Sequence, residues 1–123
     1  MPFKSNTLVE LRDIMPTILD IANIKIPSEV DGFSLVPEIF GTKRNNREYL
    51  HGEHSFHSKL SNHFIVTTKD KFIWYSEKNE EQYFNLIEDP REEHNLIYDI
   101  SYKERINYLR NCLIKELDGR EEG

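Results

Sequence analysis

Apolar side chains at Ile14, Ile18, Ile21 and Ala22, widened by Met15 and Leu19, fall at helical spacing and predict a helix over residues 13–22. A start at Leu8 would put Pro16 in the helix interior. With Asp13 as N-cap, Pro16 falls in the first turn, where its missing N–H has no intrahelical partner to lose. Asn23 tolerates the left-handed conformation that ends a helix. Residues 34–41 repeat this grammar over one or two turns, with Ser34 as cap, Pro37 in the first turn and Gly41 as stop. Between the two, Pro27 and Asp31-Gly32 mark a turn-rich crossing.

From Arg47 onward the period changes. Four runs rich in aromatic and β-branched residues, 48–51, 64–68, 71–75 and 82–86, predict strands. Only Lys69-Asp70 separates the second from the third, which predicts a hairpin that lacks the usual turn glycine. Ser101-Tyr-Lys-Glu104 reads as a capping box, and Tyr102, Ile106, Leu109, Leu113 and Leu117 form one helical stripe ended by Gly119. The economical arrangement lays this helix across one face of a four-stranded antiparallel sheet. That is an α+β fold preceded by a short helical segment.

A chain of 123 residues has room for one ordinary core but not for a large enzyme in complete form. Seven Phe, six Tyr and one Trp supply that core despite 31% charged residues. The formal charge is −6, and residues 77–95 hold seven acids against two bases, so a solvated acidic edge is expected and a nucleic-acid partner is not. No run of eighteen apolar residues and no signal-peptide hydrophobic region is present, so the chain as given is expected to be soluble, without a membrane partner and with its compartment undecided. Cys112 stands alone, which excludes an internal disulfide and suits a small packed thiol.

The candidate chemistry centres on histidine. His51, His54, His57 and His63 fall within thirteen residues, with Glu53 beside His54, and imidazole is both a zinc ligand and a physiological base. On a straight strand His51 and His54 point to opposite faces, and no second Cys or His cluster completes a tetrahedral set, so no native metal site is expected. Trp74 and Tyr75 are either a stacking platform or core. Residues 88–96 look polar enough to bind, but Asp89-Pro90 sets a turn, Asn95 suits local backbone bonds and Leu96 returns to the core. Phosphate loops, Gly-x-Ser-x-Gly elbows and His-Glu-x-x-His are absent from the sequence.

Taken in order, residues 13–22, Val30-Asp-Gly-Phe-Ser-Leu35, Arg47 through Gly52-Glu-His54, Lys71-Phe-Ile-Trp-Tyr75, Glu81-Gln-Tyr-Phe-Asn-Leu86, and Asp89-Pro90 with Glu93 and Asn95-Leu96 resemble the C-terminal part of a bacterial sulfatase of the arylsulfatase type, in the alkaline-phosphatase superfamily. The resemblance spans about residues 8–118. It implies a parent that hydrolyses sulfate esters with a formylglycine nucleophile, made in a Cys/Ser-x-Pro-x-Arg motif, and a calcium-type divalent cation. Neither has a counterpart here: Cys112 is followed by Leu113-Ile-Lys-Glu, and no serine has proline two positions on. The resemblance therefore implies a fragment, inactive alone and without cofactor, in which residues 1–44 are the helical tail of a catalytic domain and residues 45–123 the C-terminal subdomain. Its partners would be the catalytic domain and, in the parent, a sulfated small molecule or sugar. His51, Glu53, His54 and His57 would hydrogen-bond substrate beside the cleft, with no catalytic residue in this chain. The stripe of residues 13–22, lacking its neighbour, would favour self-association. Two alternatives stand beside this reading: a phosphodiester or phosphonate hydrolase of the same superfamily, and a stand-alone binding or oligomerisation module.

Overall fold

Four short runs between Leu50 and Asn85 form an antiparallel meander of β1 (Leu50–His54), β2 (Asn62–Val66), β3 (Asp70–Tyr75) and β4 (Glu80–Asn85), with spatial order β1-β2-β3-β4. The computed structural model describes residues 4–43, 46–54 and 59–120, and the chain divides into two compact units, Met1–Glu48 and Tyr49–Gly123. His51 lies opposite Ile65, Ile65 opposite Phe72 and Phe72 opposite Tyr83, so these four share one face of the sheet. The next row on that face is Glu53, His63, Trp74 and Glu81.

Helix α3 (Lys103–Leu117) lies on this face and presents Ile106, Leu109, Leu113 and Leu117. Together with Ile65, Phe72 and Tyr83 they form the buried core, and Trp74, Tyr102 and Cys112 pack at its margin. Each fully buried side chain of this size contributes about 1.5–3 kcal/mol, so this seam dominates the cohesion of the unit. The expected α+β arrangement, a four-stranded antiparallel sheet, a C-terminal helix and a short helical segment before them, is the one observed.

The strand boundaries shift from the sequence reading because pairing, not residue type, decides them. β1 runs on through Gly52 to His54 even though glycine is a poor strand former. A Cβ on Gly52 would stand 2.1 Å from Cζ of Phe64, the residue opposite, so the bare backbone makes room for that ring. The β2–β3 hairpin closes without glycine by side-chain bonding. The Thr67 N–H donates to the Asp70 carbonyl (2.9 Å), the Thr67 hydroxyl donates to Asp70 Oδ1 (2.6 Å), and the Lys69 and Asp70 N–H groups donate back to that hydroxyl (3.0 and 3.2 Å). The buried Asp70 carboxylate also accepts from Arg105 Nε (2.6 Å) and Nη2 (3.0 Å) on α3 and from the Tyr83 hydroxyl on β4 (3.1 Å). One side chain thus ties the hairpin, β4 and the helix together. Burial alone would raise the Asp70 pKa, but Arg105 and Thr67 hold it below the ordinary carboxylate range.

The starts of α3 and α1 are capped otherwise than the sequence reading had it. A 3₁₀ turn at Ile100–Tyr102 precedes α3, and its cap is Asp99, whose carboxylate accepts from the Ser101 N–H (2.9 Å) and hydroxyl (2.7 Å). Ser101 is therefore a donor to the cap. In the first unit a 3₁₀ turn at Leu11–Asp13 leads into α1 (Ile14–Ile21), and Asp13 makes no side-chain cap to it. Its carboxylate is buried and turns away to accept from Arg47 Nη1 and Nη2 (2.9 and 3.0 Å) and from the N–H groups of Phe33 and Glu10 (2.9 Å each). Desolvation opposes that charge, yet Arg47 and the two amides bring the pKa down to about 2.

Most other details follow the sequence. Pro16 sits in the first turn of α1 and Asn23 has φ 54°. The short helix α2 (Val36–Ile39) has Leu35 at its N-cap and not the expected Ser34, whose Oγ accepts from the Val36 N–H (3.2 Å), and Gly41 follows it at φ 68° as expected. Ile14, Ile18 and Ile21 are more than half exposed. The 88–96 run is a structural return: Asn95 Oδ1 accepts from the Tyr83 N–H (3.0 Å) and the Leu96 N–H donates to the Tyr83 carbonyl (2.8 Å). Among the described residues, no helix is long and apolar enough to cross a membrane.

Candidate functional site

Strand alternation sorts the candidate residues. His51 and Glu53 project from β1 toward the helix-covered face, and His54, one residue on, belongs to the opposite face. His54 is exposed at the end of the strand. His57 lies outside the described residues. The expected grouping of four therefore resolves into a pair, His51 and Glu53, with His54 on the far side of the same strand.

The register brings His63, another histidine of the same thirteen-residue run, up to His51 and Glu53. His63 lies opposite Glu53 on β2, is 1% exposed, and faces His51 with Nδ1 3.4 Å from His51 Nε2. Nδ1 of His63 also stands 3.7 Å from Glu53 Oε2. Trp74 stacks on His63 from β3, with ring centroids 6.0 Å apart, and fixes the orientation of the imidazole. Arg120 beyond α3 donates from Nη1 to Glu53 Oε2 at 2.7 Å. The signal for His63 was the pairing of β1 with β2, because Glu53 opposite His63 places both on one face. Arg120 had no signal, since 67 residues separate it from Glu53 and only the docked helix brings it back.

The electrostatics follow from this packing. His51 is half-buried, and desolvation first, with His63 and Arg120 adding to it, lowers its pKa, so the neutral imidazole is favoured. The Arg120 hydrogen bond keeps Glu53 below the ordinary range and hence ionised. Two imidazoles beside an ionised carboxylate offer both donors and acceptors, a set able to hydrogen-bond a polyol or to take up a cation.

A cleft of about 280 Å³ opens farther along the same face, lined by Trp74, Asn79, Glu81, Arg110 and the apolar side chains Leu113 and Ile114 of α3. Arg110 is clamped by Glu81 through two bonds (2.7 and 2.6 Å), so its guanidinium is committed to that carboxylate. Trp74 is part core, with its indole N–H donated to Asn79 (3.2 Å). A second group, Asp89, Glu93 and His94, gathers in the return loop, where Asp89 is occupied by the His94 N–H (2.8 Å).

A helix-covered meander carrying these motifs in this order defines a C-terminal domain of the sulfatase type. The chain belongs to the family described as N-sulphoglucosamine sulphohydrolase, C-terminal, whose model matches residues 2–119. It is 60% identical over 116 residues to an arylsulfatase of Clostridium perfringens, an alignment that covers 94% of this chain and 24% of that protein. A solved structure of a protein in complex with its substrate D-glucosamine-2-N,6-O-disulfate shares the fold, with TM-score 0.76 and 24% identity over 89% of this chain and 25% of that one. The structure of a 2-O GAG sulfatase matches with TM-score 0.73 and 29% identity over 85% of this chain and 24% of its own. The chain thus spans about a quarter of the length of these relatives.

Proposed function

We propose that this chain is the C-terminal subdomain of a sulfuric ester hydrolase, and that the whole enzyme cleaves sulfate esters of a sulfated sugar or similar small molecule. The observation that carries this reading is the 60% identity to the Clostridium perfringens arylsulfatase, maintained over 94% of the chain. Formylglycine and a calcium-type cation would belong to a catalytic domain preceding this one, consistent with the absence of Cys/Ser-x-Pro-x-Arg here. On that reading residues 1–44 are the tail of the catalytic domain and residues 45–123 the smaller subdomain, and the chain alone turns over no ester. A phosphodiester or phosphonate hydrolase, or a stand-alone module, is the weaker reading, because the family match and this relative both bear sulfatase names.

In the whole enzyme, β1 would line the substrate cleft. Its exposed end carries His51 and Glu53 on the helix-covered side and His54 on the other, and these would hydrogen-bond substrate hydroxyls, with His57 following in sequence. The exposed apolar side of α1 would pack on the catalytic domain, or on a second copy where that domain is missing. The decisive experiment reads the genomic DNA directly upstream of the Met1 codon. An in-frame segment encoding Cys/Ser-x-Pro-x-Arg and paired aspartates is the expected result. A start codon with no such frame within reach would overturn the enzymatic reading.

A further inference from the structure

We propose that His51, Glu53 and His63 form a three-ligand site for a zinc-type divalent cation on the helix-covered face of the sheet, with a fourth position open to water. Their ligand atoms all lie within 4.8 Å of one another. Tetrahedral zinc, with bonds of about 2.0–2.1 Å, spaces its ligands about 3.3–3.4 Å apart. The His51 Nε2 to His63 Nδ1 separation is 3.4 Å, and His63 Nδ1 to Glu53 Oε2 is 3.7 Å, so two edges of the tetrahedron are already near their bound length. The facing nitrogens lie on the near edges of the two rings, whose planes differ by 15°. Without metal, one nitrogen must carry a proton toward the other. The cation takes that proton's place: the ring that carried it moves its N–H to the far nitrogen (His51 Nδ1 or His63 Nε2), and the accepting ring already holds its proton there.

The surroundings are those of a held site. His63 is buried and stacked on Trp74, so its ring is fixed before any ion arrives. Metal-binding carboxylates are themselves hydrogen-bonded. Arg120 supplies that bond to Glu53, and a turn of the carboxylate gives one oxygen to the cation and leaves the other on the guanidinium. The ligands come from two adjacent strands whose pairing sets their spacing. Linear spacing pointed away from metal because it puts His51 and His54 on opposite faces; the strand pairing sets His63 in the place His54 cannot fill.

This inference does not rest on the sulfatase reading, since binding is measured on the chain itself. With the cation bound, His51 and Glu53 are ligands, and of the three β1 residues His54 alone remains for a substrate. The test titrates Zn²⁺ and Co²⁺ into the chain by calorimetry and absorbance, with emission of Trp74, the single tryptophan, as a local reporter. The expected result is one ion per chain, tetrahedral Co²⁺ absorption displaced by Zn²⁺, and quenching of Trp74 by Co²⁺. His51→Ala should weaken binding at least about tenfold, and Glu53→Gln should weaken it as well, with His54→Ala and His94→Ala unchanged. His63→Gln tests the buried ligand where near-ultraviolet dichroism shows it folded, and His51→Ala carries the test if it does not. Absence of one-to-one binding, or parent affinity in His51→Ala, would overturn the proposal.

Discussion

Replacing Asp70 by Asn removes the charge at the centre of the hairpin network with little change of shape. The carboxylate accepts two bonds from Arg105, one from Thr67 and one from Tyr83. Removing one partner of a buried ion pair costs about 3–5 kcal/mol, because the other charge is left uncompensated. The Arg105 side chain is 39% exposed and regains water in part, so the expected loss is about 2–3 kcal/mol. For a domain of this size that lowers Tm by about 10–20 °C. Urea unfolding followed by Trp74 emission measures the difference. The pH dependence supplies an independent check. Asp70 is held below its ordinary value of 3.8, so its contribution is complete above the unfolded carboxylate range and is lost as pH falls through the folded pKa. The gap between parent and Asp70→Asn should be constant from pH 7 to pH 5 and should narrow below pH 4. A loss under about 0.5 kcal/mol at pH 7, the level of an ordinary surface substitution, or a gap that persists undiminished to pH 2.5, would refute the assignment of Asp70 as the anchoring charge.

Three further outcomes follow from the packing. Leu109 is fully buried against the sheet, and Leu109→Ala should cost about 2–5 kcal/mol in the same unfolding assay. Asp99→Ala should lower Tm more than Ser101→Ala, since Asp99 is the acceptor at the start of the helical segment; equal thermal shifts would contradict that assignment. Ile18→Glu on the exposed side of α1 should abolish any concentration-dependent association seen by sedimentation velocity, and a parent chain monomeric at every concentration would remove the proposal of self-association.

The elements that were legible in the sequence are those whose signal is local. The stripe Ile106, Leu109, Leu113, Leu117 faces the core as its spacing requires, and Pro16, Asn23 and Gly41 mark helix ends as their backbone preferences dictate. What stayed hidden depends on contacts made across the chain. Asp13 has the residue type and position of a cap, but 34 residues later Arg47 offers it a charge, and a bidentate pair prevails over one amide bond. Asp70 stood at a turn and gave no hint of Arg105, which is 35 residues away. The candidate site divides in the same way. The opposite facing of His51 and His54 follows from strand period alone, whereas His63 and Arg120 join it only through strand register and helix docking.

The meander order has a kinetic meaning. Every strand pairs with its neighbour in sequence, so each loop that must close to build the sheet is short and its entropic cost small. The long closures are those of α3, which brings Arg105 to Asp70 and Arg110 to Glu81. Because α3 follows the sheet in sequence, it leaves the ribosome after the strands. Until it docks, Ile65, Phe72 and Tyr83 stand uncovered on a formed sheet. A sheet formed before that docking would expose this apolar face to misassociation.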